Sequence, residues 1–311
     1  MIKAYKITYL SPHTEIKSYT LFGAFCWGYK LLRGENALND FLLEFTLKPK
    51  FLISSPFPLL KDNLLFPKPL LNIEFEEVPI IEKLKRKPYK KAKYITEKVL
   101  KDLIKGKITT QNQLMKNYKS YGGIIFKENE SIEKINIQEQ IFTHNIINRI
   151  NNKSENLYFE TGFLSNSEYF LVRFFDKNFI NEFESILKII EDLGIGGNKN
   201  IGWGKIKISN IQKDISILEK TKTKKFFTLS PIIPSENIIL ENSYYALLTY
   251  KSFTEGTFDK GKSKRKVFYL DEGSIISIED NNKFAGQIKN VSFDENPMYQ
   301  YGLEFPIYME Q

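Results

Sequence analysis

Cysteine and histidine are nearly missing from this chain of 311 residues, which holds one Cys, Cys26, and two His, His13 and His144. A lone thiol can build neither an internal disulfide framework nor a cysteine-ligated zinc site, and it fits a reducing cytoplasm. Two histidines leave little material for a Ser-His-Asp triad or a histidine-bound metal. Carboxylates are scattered, with no paired Asp-x-Asp, His-Asp or Gly-Gly-Asp-Asp element to seat two metals, so neither a metal nor a cofactor is expected. No apolar run reaches the roughly 18 residues of a membrane helix, and Met1 to Lys6 carry no apolar signal region. A cytoplasmic protein without a membrane partner is the expectation.

Basic and aromatic residues are what the chain has in quantity. Lys and Arg number 45 against 37 Asp and Glu, a formal net charge of +8, and 42% of residues are hydrophobic and 14% aromatic, which is enough apolar material to exclude a disordered basic tail. The excess charge is local. Residues 83–107 hold eleven basic residues against Glu97 and Asp102, a net +9, so the other 286 residues sum to −1. An acidic partner, nucleic acid foremost, follows from such a segment.

Hydrophobic periodicity orders the rest. Ile2 to Leu10 reads as a strand stopped by Ser11-Pro12-His13-Thr14. Ser18 or Thr20 then caps a helix with Leu21, Phe22, Phe25 and Leu32 at helical spacing, ended by Gly34. Between residues 51 and about 125, six prolines interrupt the pattern, and the stretch reads as an insertion outside the core. Leu157 to Phe163 and Glu168 to Phe175 read as a hairpin joined at Leu164-Ser165-Asn166-Ser167. Asp176 or Asn178 caps a second helix through Phe183, Ile186 and Ile190 to Gly194, and Lys205 to Ile211 alternates as a strand. Strand, helix, strand, strand, helix, strand is the split βαβ order of ferredoxin-like, RNA-recognition-type domains. The expected fold is therefore α+β: a ferredoxin-like domain over residues 1–211 with an insertion at about 51–125, a linker over 212–225, and a β-rich, degenerate ferredoxin-like domain over 226–311.

The most informative stretch is Gly194-Ile195-Gly196-Gly197-Asn198-Lys199-Asn200-Ile201-Gly202-Trp203-Gly204, with five glycines. A helix precedes it and a strand follows, the reverse of a dinucleotide fingerprint, and Trp203 stands where a Walker loop needs Lys. What remains is a loop open to close backbone approach, with amides, Asn198, Lys199, Asn200 and Trp203 able to meet RNA; the competing reading is a flexible connection rich in turn residues. In the basic run, Lys85, Arg86, Lys87, Lys90, Lys91 and Lys93 interleave with Tyr89 and Tyr94, the pattern of cations along a phosphate backbone with rings for stacking; the competing reading is a solvated surface. A second cluster, with Lys264 and Arg265, lies in a loop of the C-terminal half. His13 follows the first strand, where a base for metal-independent RNA cleavage could sit, although no second group is placed beside it as the acid.

Ser18-Tyr19-Thr20-Leu21-Phe22-Gly23-Ala24 resembles the S-x-T-L-F-x-A helix start of the RAMP superfamily of CRISPR proteins. Together with Ile53-Ser54-Ser55-Pro56, His144-Asn145 with Arg149, and the glycine-rich loop, it is similar to the fourth subunits of type III-A (Csm) interference complexes. The resemblance implies a non-catalytic subunit that holds the repeat-derived 5′ tag of the CRISPR RNA (crRNA) and joins the large polymerase/cyclase-like subunit to the backbone RAMP filament. It implies RNA contacts at Ser18, Thr20, Asn145, Arg149 and Gly196 to Trp203, Gly202 included, and a thumb near Lys85 to Lys93. His13 falls where RNA-processing relatives carry a catalytic histidine, which implies the alternative of a metal-independent endoribonuclease. A scaffold that binds acidic protein surfaces is the third reading.

Overall fold

A computed structural model describes residues 1–310 except 62, 74–85, 136, 166, 220–221 and 254–260. Its centre is strand β1 (Ile2–Tyr9), whose β-branched and aromatic residues are mostly buried. β1 pairs antiparallel on one side with β10 (Ser167–Phe174) and on the other with β11 (Ile206–Ile211). β2 (Phe51–Ile53) lies against the far side of β10, Val172 opposite Ile53, which gives the order β11-β1-β10-β2.

Helix α1 (Ser18–Arg33) buries Leu21, Phe22, Phe25 and Gly28, residues that share one face at helical spacing. It packs on α6 (Ile180–Leu193), which offers Phe183, Ile186, Leu187 and Ile190. The contact is close: Phe25 and Phe183 stack with ring centroids 5.2 Å apart, and a Cβ on Gly28 would lie 2.8 Å from Cγ2 of Ile186. α1 ends at Gly34 with φ 92°, and α2 (Glu35–Leu47) starts at once and adds Phe41 and Phe45 to the same aromatic core.

The expected insertion is not outside the core. β3 (Phe57–Leu60), β4 (Asn63–Pro67) and β5 (Tyr94–Thr96) extend the sheet, followed by β7 (Ile124–Phe126) and the edge strand β6 (Lys119–Tyr121). The short helices α3 (Lys87–Lys91), α4 (Glu97–Ile104) and α5 (Gln111–Asn117) lie between them in sequence. Phe51, Phe57, Phe66, Ile95, Leu100, Leu103 and Ile125 belong to the same core cluster as β1. Proline is tolerated here because Pro67 ends β4 and Pro88 opens α3, places where a missing N–H costs little.

The expected hairpin of residues 157–175 also gives way. β9 (Ser154–Leu164) pairs with β8 (Gln138–Ile147), from Gln138 opposite Leu164 to Ile147 opposite Ser154, while β10 turns into the central sheet. The reason lies in burial: Tyr169 to Val172 are buried in succession, as a central strand requires, whereas β9 is exposed along most of its length. β8 and β9 form a two-stranded arm, roughly 30 Å long at ~3.3 Å per residue.

Beyond Ile211, the expected linker is anchored: Leu218 is buried and Ile2 N–H donates to Glu219 Oε1 at 2.7 Å. The C-terminal half is β-rich. β12 (Lys225–Thr228) lies between β15 (Ile275–Ser277) and β18 (Pro306–Tyr308), β13 (Leu247–Tyr250) pairs with β14 (Val267–Leu270), and β16 (Lys289–Asn290) with β17 (Tyr299–Gln300). Among the described residues this half has no α-helix, whereas a complete ferredoxin-like unit has two. Nor is it a separate body: Phe227, Ile275, Tyr301, Phe305 and Ile307 share the main core cluster. No helix of the described residues is long and apolar enough to cross a membrane.

Candidate RNA interface

A groove of about 780 Å3 runs between the two halves. Tyr19, Thr20, Gly23 and Trp27 of α1 line one side; Gly194, Gly196, Gly197 and Lys199 of the glycine-rich loop and Tyr250, Phe253 and Lys264 of the C-terminal half line the others. Its wall holds backbone amides, cations and aromatic rings, the groups that contact phosphates and splayed bases.

The glycines of the loop answer first to the protein itself. Ile195 N–H donates to the Gly204 carbonyl at 2.9 Å, and a Cβ on Gly204 would stand 2.0 Å from the Ile195 carbonyl oxygen, so the neck closes only with glycine. Gly197 N–H donates to Thr14 Oγ1 at 3.0 Å, and a Cβ on Gly196 would lie 2.6 Å from that oxygen. Thr14, for which the sequence carried no signal, thereby fixes the groove-side turn. Asn198 sits at φ 61° and its amide donates to Glu160 Oε2 at 2.7 Å, directed at the arm and not at the groove. Trp203 is buried beneath the arm, while Asn200 is exposed. Gly202, at φ 90°, has open space where a side chain would be.

Several expected RNA contacts are buried structural groups. His13 is 3% exposed; its Nδ1–H donates to the Thr14 carbonyl at 2.8 Å, its Nε2 accepts from Ser165 Oγ at 2.8 Å, and its ring stacks on Tyr9 at 3.7 Å. Burial lowers its pKa from the ordinary histidine value. Both nitrogens of the His13 ring are thus engaged within the protein. Ser18 is fully buried, its N–H donating to Ser55 Oγ at 3.2 Å, so only Thr20 of the expected pair faces the groove. Beside it, Lys17 is buried with its Nζ 2.9 Å from Asp271 Oδ1 and 2.6 Å from Glu272 Oε1, which pins α1 to the C-terminal half. Burial alone would lower the Lys17 pKa, but the two carboxylates hold it above the usual lysine value.

The basic run does not meet the groove. Lys85 lies outside the described residues. Arg86 adjoins α3, whose Lys87, Lys90 and Lys91, with Lys93, are exposed near β6, the opposite edge of the sheet from β11. Tyr89 is not a free stacking platform: its hydroxyl donates to the Tyr118 carbonyl at 2.6 Å. Asn145 and Arg149 are exposed on the arm, where Asn145 Oδ1 accepts from Ser154 Oγ at 2.7 Å. Arg265 points away with its guanidinium 5.3 Å above the Phe293 ring.

The arm is the feature that sequence reasoning missed. Ile141 (67% exposed), Leu157 (61%) and Phe159 (63%) alternate along it, and Ile150 at the tip is 96% exposed. Two runs of about ten residues around an Asn-rich turn, with Asn152 at φ 52°, were the available signal.

Residues 221–309 match the family described as the CRISPR Csm4 C-terminal domain. The chain is similar to the CRISPR system Cms protein Csm4 of Methanocaldococcus jannaschii, 26% identical over 313 residues, 88% of this chain and 81% of that protein. Its fold is similar to a chain of the Csm3–Csm4 subcomplex from a type III-A CRISPR-Cas interference complex, with a TM-score of 0.68 and 22% identity, covering 99% of this chain and 100% of that one. It is also similar to a chain of a Csm1–Csm4 cassette in complex with cA4, with a TM-score of 0.61 and 18% identity, covering 100% and 98% of the two chains.

Proposed function

We propose that this chain, a Csm4-type RAMP protein of the type III-A CRISPR systems, is a non-catalytic, cytoplasmic RNA-binding subunit that holds the 5′ tag of the crRNA. The partners named with its relatives suggest the rest: it joins a large Csm1-type subunit to a backbone of Csm3-type subunits. We read the order β11-β1-β10-β2, with α1 and α6 packed together, as the ferredoxin-like unit of an RNA-recognition-type domain.

The single observation that carries the RNA reading is the groove, where the turn at Gly196 and Gly197, the cations Lys199 and Lys264, and the rings of Tyr19, Tyr250 and Phe253 converge. A tag that forms no duplex is held through phosphates, 2′-hydroxyls and stacked bases, and this lining offers a partner for each. The arm, with its exposed Ile141, Leu157 and Phe159, takes the part first expected of the basic segment: it meets the guide where the tag ends. The lysines around α3 then serve a separate acidic surface.

Fluorescence anisotropy with a labelled tag RNA tests the reading. Binding is expected to weaken steeply with salt and to be lost when Lys199 and Lys264 are both replaced by Ala; affinity unaffected by that double replacement rejects the groove as the site.

A further inference from the structure

The loop that walls the groove also holds the arm. At the arm's root, His13 and Phe163 exchange backbone hydrogen bonds of 3.1 and 2.8 Å, which fixes a point but not a direction. Further out, part of one face of the arm is covered: Phe142 and Glu160, paired with each other, are half-buried, and Gly162, paired with the exposed Gln140 on the same side, is buried. Trp203 packs against this face. Its ring meets the Phe142 edge with centroids 4.8 Å apart, and it fills the space left by Gly162, where a Cβ would lie 2.7 Å from Cη2 of Trp203 and 2.9 Å from Cε2 of Phe142. The bond from Asn198 to Glu160 lies beside it at 2.7 Å. Beyond these contacts both faces of the ribbon are largely exposed, and an isolated two-stranded ribbon is too weak to hold its own direction.

We propose that Trp203 is a positioning residue: seated in the Gly162 notch, it latches the arm to the glycine-rich loop and sets the arm's direction relative to the groove wall. Asn198 acts as the second point of the latch. The loop is thus two-sided, with Gly196, Gly197 and Lys199 toward the groove and Asn198 and Trp203 toward the arm. Where the groove holds RNA, the functional reading above, a nucleotide leaving the groove meets the arm at a fixed place.

The test measures the arm's direction in the protein without RNA. Nitroxide labels on cysteines at Ile150 and Leu47, which are 96% and 88% exposed, in a Cys26→Ala background report the distance from arm tip to body by pulsed dipolar spectroscopy. The parent is expected to give one narrow distribution. Trp203→Ala and, independently, Gly162→Ala should broaden it about twofold, and Trp203→Phe, which keeps a ring against Phe142, should restore part of the narrowing. If Trp203→Ala fails to fold, Gly162→Ala on the arm probes the same contact from its other side. A distribution as narrow in both variants as in the parent overturns the proposal, and so does a parent as broad as the variants. Adding tag RNA keeps the two readings apart: failure of RNA to bind any of these proteins removes the groove reading, while the RNA-free distances still decide the latch.

Discussion

Lys17 and Glu272 meet at 2.6 Å across the junction of the two halves, with Lys17 almost wholly buried. A buried cation held by two carboxylates is costly to break on one side, since removing one partner leaves the others unpaired and out of water. Lys17→Ala is expected to destabilise the fold by about 3 kcal/mol. Replacing Lys17, Asp271 and Glu272 together by apolar residues should cost much less. Thermal unfolding of the two variants compares them, and equal midpoints would remove the ion cluster as a determinant of the junction.

Glu168 gives the protein a pH dependence of known sign. Burial pushes its carboxyl up from 4.5 to about 7, against the opposing hydrogen bond from the Tyr9 hydroxyl at 2.6 Å. The folded state therefore keeps a proton that the unfolded chain releases near pH 4.5, so this group's contribution is fully present below 4.5 and is lost as pH rises toward 7. Glu168→Gln, whose amide oxygen still accepts from Tyr9, should be the more stable protein at pH 8 by roughly 1–3 kcal/mol and converge with the parent near pH 4. Denaturant titrations across that range check the crossing; parallel curves would refute it.

Two glycines of one loop should respond differently to the same change. Gly204→Ala sets a Cβ 2.0 Å from the Ile195 carbonyl oxygen at φ 70°, whereas Gly202→Ala, at φ 90°, meets nothing within 4 Å and carries backbone strain alone. The first is expected to cost more than ~3 kcal/mol and the second about 1 kcal/mol. Calorimetry of both variants decides the point; equal costs would mean that the neck opens without penalty.

The groove and the basic edge should separate in binding experiments. Lys199→Ala and Lys264→Ala are each expected to weaken binding of a short RNA and to lower its salt slope by about one unit. Lys90→Ala with Lys91→Ala, at the far edge of the sheet, should leave that RNA's affinity unchanged. Anisotropy titrations at several salt concentrations measure both, and a loss confined to the edge variant would reverse the assignment.

Local signals carried the central elements: the periodicity of α1 and α6, their ends at Gly34 and Gly194, and the strands β1 and β11 correspond to observed elements, whereas the caps do not, since Lys17 and Phe179 stand at the N-caps and Asp176 caps only the short 3-10 turn before α6. Pairing was harder to read because it is decided at a distance. β9 was legible as a strand, but its choice of β8 over β10 depends on which strand is buried on both sides. The short strands between residues 51 and 126 hid behind prolines, since runs of three to five residues are too brief to show a period. In the site, the glycine-rich loop was visible by composition, yet composition could not tell which of its residues face the groove. His13 illustrates the same limit: its sequence position is that of an exposed turn, and its distant partners Phe163 and Ser165, with Tyr9 against its ring, account for its burial.

The core shared by the two halves sets a schedule for biosynthesis. Phe305 and Ile307 pack in one cluster with β1, and Glu310 N–H donates to the Ile104 carbonyl at 2.7 Å. On a ribosome adding about 5–20 residues per second, the apolar groups of β1, α1 and α6 therefore wait roughly 5–20 s between completion of β11 and arrival of Phe305. A nascent chain with that much uncovered aromatic surface is a natural client for chaperones, and stalling translation between those points should leave it bound to them.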